Sequence, residues 1–383
     1  MLQDEIYLPS LGGGIKANRF LLQRLATRGH DTFVICPAFT GAEVGPRNHA
    51  EFLAEIDRRR IEVQNGAGKV FSYCHDGVTV EAIDFQSQHS RESLKNRIER
   101  LQPEWIIVTD DKRRFMLDSA LRTAPDRVVL LLQTIVQLPF GPLSVQLNPE
   151  QTQRMRQARG IGVISEFQRQ HIRRHSGLES EIVRLPVYGD APFARHGSFN
   201  KGFVTIINPC GLKGAEIFLA LARRFPQTEF AAVPTWGTDP TLRAQLASAP
   251  NVHVLPAVDD IDEILAHTRV LLVPSLWPET FGYVVPEAML RGIPVLASDI
   301  GGLPEAKLGV DYLLPVKPAE LRDCRFLFHP QDVNPWADAL SQLLGDRATY
   351  NRCSEQSRVA ATTFHATTDI SNFEQFLNRL PKA

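Results

Sequence analysis

Two glutamates, Glu279 and Glu287, stand eight positions apart between two apolar runs of the sequence. The run before them, residues 270–275, and the run after them, residues 293–298, are each typical of a buried parallel strand. The segment between is therefore predicted to be a loop and a short helix that ends at Gly292. Ionised carboxylates accept hydrogen bonds from hydroxyl groups, so this pair is suited to holding a sugar or a ribose.

The start of the same short helix is also predicted to bind an anion. Glu279 would lie on the loop at the carboxyl edge of the sheet, and Glu287 one to two turns into the helix. Between them are backbone amides that have no partner within a helix, those of Phe281, Gly282, Tyr283 and Val284. Two carboxylates on either side of a phosphate-binding turn predict a nucleotide-sugar site.

Lys213 is the next residue that could do chemistry. A strand predicted over residues 203–207 is followed by a loop that contains Lys213, and then by a helix predicted over residues 215–224. A lysine on such a loop, just before a helix N-terminus, is well placed to pair with a diphosphate. The alternative is an ordinary solvated lysine.

Near the start of the chain, a glycine turn precedes a helix predicted over residues 15–28. Adjacent glycines permit positive φ and the close approach of a phosphate or sugar, although a tight turn without a ligand is the alternative. The turn is Gly12, Gly13 and Gly14. Polar residues follow on the helix and either reach a ligand or form a solvated face: Lys16, Asn18 and Arg19. Residues 1–5 are short and polar for a central strand, so either this strand is irregular or the natural start lies further upstream.

Acidic residues follow another predicted strand in the first half of the chain. Asp110 and Asp111 come after the strand predicted over residues 105–108. They either bind a substrate that accepts a transferred sugar or cap a helix. Farther on, a basic run could contact an anionic membrane surface, although a solvated helix face is the commoner explanation. Its members are Arg154, Arg156, Arg159, Arg169, Arg173 and Arg174.

Composition favours a soluble two-domain protein of the α/β class. The chain has 383 residues, 43% hydrophobic and 22% charged, and a net charge of -1, which argues against a dedicated nucleic-acid binder. Five cysteines show no close pairing, which favours reduced thiols in the cytoplasm and no zinc site. No apolar run approaches the ~18–20 residues that span a bilayer, and no signal peptide is expected.

Strand-like runs alternate with helical patterns, which predicts two doubly wound parallel sheets that bind ligands at the carboxyl ends of their strands. Pro and Gly cluster over residues 185–192, where a domain boundary is expected. The predicted units are an N-terminal domain over residues 1–186, a C-terminal domain over 187–366 and a final helical segment over 367–383.

Residues 270–305 resemble the donor-site signature of retaining glycosyltransferases with the GT-B fold, in family 4 of the sequence classification. The family pattern is Glu, seven residues and Glu, followed by Ala-Met and a Gly-x-Pro-Val strand. In this chain it continues as Ser298-Asp299-Ile300-Gly301-Gly302-Leu303-Pro304-Glu305. The resemblance implies two Rossmann-like domains facing a cleft, with the C-terminal domain binding the donor and the N-terminal domain the acceptor. It also implies that the last helix crosses back to the first domain.

The resemblance assigns roles to the residues already singled out. Glu287 would accept from the ribose hydroxyls and Glu279 would orient the donor sugar, while Lys213 and the amides of 281–284 would neutralise the leaving diphosphate. Gly13 and Gly14 would face the donor from the N-terminal domain. The family transfers sugar with retention of anomeric configuration.

Two positions depart from the family pattern. Gln133 follows the strand predicted over residues 128–132, where many relatives have a histidine that contacts the transferred sugar. Asn208 stands where many relatives have an arginine that binds the diphosphate. A glutamine can donate and accept but carries no proton at neutral pH, so chemistry here is not expected to use an imidazole at that place.

The sequence thus predicts a nucleotide-sugar-dependent transferase with a UDP-sugar as the commonest donor in the family and a small-molecule, glycan or lipid-linked acceptor. No Asp-x-Asp or His-rich ligand set lies near the motif, so no metal or other cofactor is expected. The alternatives are a non-hydrolysing nucleotide-sugar epimerase and a non-catalytic sugar-nucleotide binding protein. A dehydrogenase is disfavoured because the glycine turn does not continue as Gly-x-Gly-x-x-Gly.

Overall fold

The chain divides into two compact units in the computed structural model. Unit 1 contains residues 1–187 and 368–383, and unit 2 contains residues 188–367. The structure describes residues 1–10, 12–41, 45–66, 70–85, 90–112 and 114–381. The change of unit at Val187 falls inside the Pro- and Gly-rich stretch where the periodicity of the sequence lapses.

Unit 1 is built on a mostly parallel sheet. Its strands are β1 Thr32–Pro37, β2 Gln64–Gly66, β3 Val70–His75, β4 Val78–Ile83, β5 Ile106–Val108, β6 Val128–Leu132, β7 Gly160–Val163 and β8 Glu181–Ile182. They pair in the orders β1-β4-β3-β2 and β5-β6-β7-β8. All five residues of β6 are buried, as expected for a strand covered on both faces. The bounds of β6 agree with the sequence prediction.

Residues 1–3 join these two sets of strands. Leu2 forms parallel bridges with Ile35 of β1 and Val108 of β5. Its amide donates to the carbonyl of Ile107 at 2.7 Å, and the amide of Gln3 donates to the carbonyl of Ile35 at 3.0 Å. The first strand is therefore irregular and reduced to bridges at Leu2, as its polar composition suggested.

One part of unit 1 departs from the predicted parallel pairing. Strands β2, β3 and β4 pair antiparallel, and β3 joins β4 through a turn at Asp76 and Gly77. Both turn residues have positive φ, 49° and 80°, as a tight hairpin requires. The Asp-Gly pair between two alternating runs is the sequence signal that could have revealed this hairpin.

Helices flank the sheet of unit 1, and the last helix of the chain belongs to this unit. They are α1 Gly13–Thr27, α2 His49–Arg58, α3 Ser90–Leu101, α4 Met116–Thr123, α5 Pro149–Met155, α6 Glu166–Ser176 and, at the end, α14 Ser371–Arg379. Arg28, just after α1, pairs with Glu374 at 2.9 Å, and Leu380 covers Gly160 of β7 so closely that a Cβ there would lie 2.6 Å from Leu380 Cδ2. The C-terminal segment is thereby tied to unit 1.

Unit 2 contains a parallel sheet with the strand order β11-β10-β9-β12-β13-β14. The strands are β9 Phe203–Ile207, β10 Phe230–Val233, β11 Val252–Val254, β12 Thr268–Val273, β13 Val295–Ser298 and β14 Leu313–Leu314, with a separate hairpin of β15 Glu320–Arg322 and β16 Arg325–Leu327. The helices are α7 Ala215–Arg224, α8 Pro240–Ser248, α9 Asp262–Leu265, α10 Val284–Leu290, α11 Leu303–Ala306, α12 Asn334–Gly345 and α13 Arg347–His365. The chain order reverses direction between β9 and β12, so the loops after these two strands flank the switch point where such sheets bind ligands.

Candidate functional site

The loops after β9 and β12 bring Lys213 and Glu279 together. The ammonium group of Lys213 contacts Glu279 Oε1, and the hydroxyl of Ser275 donates to the same oxygen at 2.6 Å. The side chain of Lys213 is 28% exposed and that of Glu279 is 15% exposed, so the pair is partly screened from water. Sequence reasoning placed both residues at this edge, but it did not foresee their direct contact or the part played by Ser275.

Backbone contacts fix the two loops against each other. The amide of Leu276 donates to the carbonyl of Leu212 at 2.8 Å. Gly214 has φ of 70°, and a Cβ at this position would lie 1.9 Å from the carbonyl oxygen of Pro274. Only glycine permits both this conformation and this approach. The positions of Lys213 and Glu279 are thus set by main-chain packing as well as by their own charges.

A third loop supports Glu279 from the other side. The amide of Gly302 donates to the carbonyl of Glu279 at 2.7 Å, and a Cβ on Gly302 would lie 2.3 Å from the carbonyl oxygen of Thr280. Gly301 has φ of 62° and also lies against the backbone of Glu279. The two glycines at the end of the signature string therefore leave room for the Glu279 loop.

The helix after Glu279 is confirmed, and Glu287 is its fourth residue. Tyr283 is the N-cap, α10 begins at Val284, and Gly292 follows the C-cap with φ of 69°. Glu287 is 6% exposed, and its carbonyl accepts from Arg291 Nη1 at 3.2 Å. Glu287 therefore lies deeper in unit 2 than Glu279 does.

The side chains at the start of α10 serve packing. Phe281 is 2% exposed and stacks on Phe364 with ring centroids 5.7 Å apart, and Tyr283 meets Phe281 edge to face at 5.8 Å. Gly282 has φ of 100°, and a Cβ there would lie 2.7 Å from Leu303 Cδ2. Any contact of this segment with an anion would therefore come from its backbone amides.

Asn208 joins the loops after β9 and β10. It has φ of 55° and is 7% exposed. Its Oδ1 accepts from the amide of Gly237 at 2.9 Å, and its own amide donates to the carbonyl of Val233 at 2.9 Å. The side-chain oxygen is thus used to position neighbouring backbone.

In unit 1 the predicted glycine turn is part of a helix. Gly12 is the N-cap of α1 with φ of −136°, and the helix begins at Gly13, two residues earlier than predicted. The positive-φ glycines of the described chain do not include Gly12, Gly13 or Gly14, so this turn does not use the left-handed backbone that glycine permits. Glycine can also adopt helical backbone angles, so the helix can include Gly13 and Gly14. The amides of the first helical turn have no acceptor within the helix.

Gln133 belongs to a relay of buried side-chain amides. Its Nε2 donates to Asn18 Oδ1 at 2.6 Å and to the carbonyl of Gly14 at 3.3 Å. Asn18 Nδ2 in turn donates to Gln3 Oε1 at 2.9 Å, and Gln3 Nε2 donates to the carbonyl of Glu5 at 2.9 Å. The relay joins the first strand, α1 and the end of β6. Sequence reasoning missed the part of Gln3.

Asp110 and Asp111 both bind backbone amides. Asp110 Oδ1 accepts from the amides of Gln133 and Thr134 at 3.1 and 3.2 Å, and Asp111 Oδ2 accepts from the amide of Leu117 in α4 at 3.0 Å. Burial raises the pKa of Asp110 to about 7 and that of Asp111 to about 6, although these amides oppose the shift. Asp111 thus holds the start of a helix, and Asp110 holds the loop after β6.

Lys16 and Arg19 lie around one aromatic ring. The Lys16 ammonium is 5.8 Å and the Arg19 guanidinium 5.4 Å from the ring centroid of Phe20. Arg19 is 8% exposed, so the expectation of a solvated face does not hold for this residue.

Most of the basic run over residues 154–174 contacts its own unit. Arg169 pairs with Glu166 at 2.7 Å, Arg173 pairs with Glu179 at 3.3 Å, and Arg159 donates to the carbonyl of Pro381 at 2.6 Å. These contacts give the arginines a structural explanation. Within the described residues, no cluster of three or more His, Cys, Asp or Glu side chains could hold a metal ion. The described helices include none long and apolar enough to cross a membrane.

Comparison with known proteins identifies the segment that carries Lys213, Glu279 and Glu287. Residues 202–346 match the family model described as "Glycosyl transferases group 1". The curated protein alpha-1,3/1,6-mannosyltransferase alg-2 from Neurospora crassa is 30% identical over 151 residues, which are 38% of this chain and 30% of that protein. The match thus spans less than a third of that relative.

Solved structures resemble the whole chain. The sucrose-phosphate synthase of Thermosynechococcus elongatus has a TM-score of 0.69 at 16% identity, with 99% of this chain and 98% of that one covered. Anabaena HepE, solved in complex with UDP-glucose, has a TM-score of 0.65 at 16% identity, with 98% of each chain covered. This likeness shows that the chain has the GT-B fold.

Proposed function

We propose that this protein is a glycosyltransferase that moves a sugar from a nucleotide-sugar donor to an acceptor with retention of anomeric configuration. The observation that carries the proposal is the contact between Lys213 and Glu279 at the edge of the sheet in unit 2. In a nucleotide sugar, the diphosphate and the transferred sugar share one bond. A cation for the first and a carboxylate for the second must therefore be neighbours, as these two residues are.

The proposed division of roles follows from charge and position. Lys213 would pair with the diphosphate, together with the backbone amides of residues 281–284, while Glu279 would accept from hydroxyls of the sugar. Glu287, one turn into α10, would accept from the ribose. Because Lys213 and Glu279 contact each other, donor binding would exchange this contact for one with the diphosphate and one with the sugar.

The proposed reaction is a same-face displacement at the anomeric carbon. The bond between that carbon and the phosphate oxygen breaks, and a bond to the acceptor oxygen forms on the same face. The departing phosphate takes the proton of the acceptor hydroxyl. Lys213 would stabilise the charge that grows on the phosphate, and one well-placed donor of this kind is worth about 3–4 kcal/mol. Neutralisation by Lys213 and backbone amides would make a catalytic metal unnecessary.

The other proposed elements concern unit 1 and the ligands. This unit would bind the acceptor, with Gly13 and Gly14 toward the donor and with Asp110, Gln133, Lys16 and Arg19 at the acceptor side. The donor would be a UDP-sugar, in keeping with the UDP-glucose bound by Anabaena HepE. Reaction in the cytoplasm is proposed, with any membrane contact weak and peripheral.

The test combines nucleotide binding with product analysis on the full chain. UDP, GDP and ADP are compared by thermal shift, where a ligand at 100 times its Kd adds about 2.7 kcal/mol to the free energy of unfolding. The responding nucleotide sugar is then incubated with a panel of acceptors, with and without EDTA, and the anomeric proton of the product is read by NMR. We expect one nucleotide to stabilise the chain and a retained, EDTA-resistant product to form. Epimerisation of the donor alone, or an inverted product, would contradict the proposal.

A further inference from the structure

The charged side chain of Arg19 is buried in unit 1. The residue is 8% exposed, and its Nε is fully buried without a hydrogen-bond acceptor in the described part of the chain. No carboxylate of the described residues pairs with its guanidinium. A buried charge without a partner costs folding free energy, so such a group is a candidate for contact with a ligand.

A second cation lies beside Arg19. Lys16 is one helical turn earlier on α1, and both charged groups lie within 6 Å of the ring centroid of Phe20, at 5.8 and 5.4 Å. Long side chains on a helix lean toward its N-terminus. Both side chains are therefore expected to incline toward the N-terminus of α1.

The N-terminus of α1 adds to the same positive field. This helix has 15 residues, no acidic residue in its first turn and no side-chain cap from Gly12. The first amides of such a helix point outward and carry partial positive charge. Gly13 and Gly14 place no side chain over them, so a ligand oxygen can approach the backbone closely.

Tyr7, a polar residue whose pKa is affected by the charge of Arg19, is another hydrogen-bond donor. Tyr7 is 1% exposed, and its hydroxyl has no partner within the described residues. Burial raises the pKa of Tyr7, with Arg19 opposing the shift, so the phenol stays neutral and provides no anion for the guanidinium. Asn18 beside it is occupied, because it donates to Gln3 and accepts from Gln133.

We propose that Arg19, Lys16 and the N-terminal turn of α1 form a binding site for a phosphate group carried by the acceptor. A guanidinium fork, an ammonium group and outward amides are the donors that proteins use for phosphate. The assignment of this phosphate group to the acceptor rests on the proposed transferase function. The anion site itself does not depend on it.

The test measures binding to the full chain by calorimetry with three probes: inorganic phosphate, a hexose phosphate and its unphosphorylated parent hexose. Arg19→Met keeps the length of the side chain and removes the charge. Arg122→Met, on an exposed α4 side chain, is the control with the same change of net charge. We expect Arg19→Met to weaken hexose phosphate binding by about 10- to 150-fold, the worth of a hydrogen bond to a charged group. The control should bind as the wild type does.

Other outcomes decide against the site. Equal affinity of the wild type for the hexose phosphate and the parent hexose would overturn it. So would an Arg19→Met variant that loses UDP affinity instead, since the residue would then serve the donor diphosphate. If Arg19→Met fails to fold, Lys16→Met, at a half-buried position, is measured in its place with the same expectation. Phosphate binding without any transfer would leave the site standing and refute the transferase function alone.

Discussion

The polar side chains at the sheet edges of the two units differ in charge and in hydrogen bonding. In unit 2 the edge carries opposite charges, Lys213 and Glu279, which compensate each other, and Ser275 adds a hydrogen bond. In unit 1 the neutral amides of Gln133, Asn18 and Gln3 form a relay of hydrogen bonds, beside an ion pair of Lys112 with Glu5. A charged pair can exchange its partner for a ligand, whereas a satisfied amide relay gains nothing by opening.

The charged pair of unit 2 is therefore suited to reaction with a ligand, whereas the relay of unit 1 fixes the positions of the segments that it joins. Arg19 differs from the relay, because it is buried and its Nε has no acceptor among the described residues. Burial also raises the pKa values of Asp110 and Asp111 in this unit, to about 7 and about 6. Three experiments test this contrast.

The largest effect is expected from a double-mutant cycle on the charged pair. Lys213→Met and Glu279→Gln should each lower turnover by about 100- to 1000-fold, because each removes charge that acts on the reacting part of the donor. The turnover of the double variant should be only slightly lower than that of the less active single variant, since the two groups act as a unit. Glu279→Gln should keep most of the nucleotide affinity, measured by calorimetry.

Glu216→Gln, an exposed position in the first turn of α7, is the matched control and should turn over at the wild-type rate. Wild-type turnover by Lys213→Met would remove this residue from the mechanism. Strictly additive losses would show that the contact between Lys213 and Glu279 has no bearing on catalysis.

A smaller effect, on stability, is expected from Asp110→Asn. The folded pKa of Asp110, about 7, is above its ordinary value of 3.8, so this carboxyl favours the folded state below pH 3.8 and loses that contribution as pH rises toward 7. An asparagine keeps an oxygen for the two amides and does not titrate. The free energy of unfolding of the variant relative to wild type should therefore rise between pH 4 and pH 8, by on the order of 3 kcal/mol.

Urea unfolding at a series of pH values measures this difference. Asp126→Asn provides the control, because the Asp126 side chain is 63% exposed and its difference from wild type should be flat. A flat difference for Asp110→Asn as well would mean that the carboxyl is ionised in the folded protein, and the contrast between the units would fail at this point.

The smallest effect is expected from breaking the amide relay. Asn18→Leu has nearly the same shape but leaves Gln133 Nε2 and Gln3 Oε1 without their side-chain partner, which should lower the free energy of unfolding by about 1–3 kcal/mol. Gln23→Leu on the same helix removes an exposed bond to Asp76 and should change stability by less than about 0.5 kcal/mol. Equal changes in the free energy of unfolding for the two substitutions would show that the relay contributes no more to stability than an exposed hydrogen bond does.

The sequence alone was sufficient for the elements of unit 2 that carry the site. The bounds of β9 and α7 agree with the prediction, and the loop and short helix after β12 are where the apolar runs and Gly292 placed them. These features follow from local rules: continuous apolar runs for buried strands, helical periodicity, and glycine where a helix ends. The first half of the chain was less predictable, since β2 has only three residues at a sheet edge and β3 pairs antiparallel with both of its neighbours.

Tertiary structure decided which polar groups are compensated. Lys213 and Glu279 are 66 residues apart in the chain, and Gln133 and Asn18 are 115 apart, so no local pattern predicts either contact. The burial of Arg19 likewise depends on what packs around α1, because an arginine on a helix has the same sequence neighbours whether it is solvated or enclosed. Propensity acts over a few residues, whereas burial and charge pairing arise only when distant segments come together.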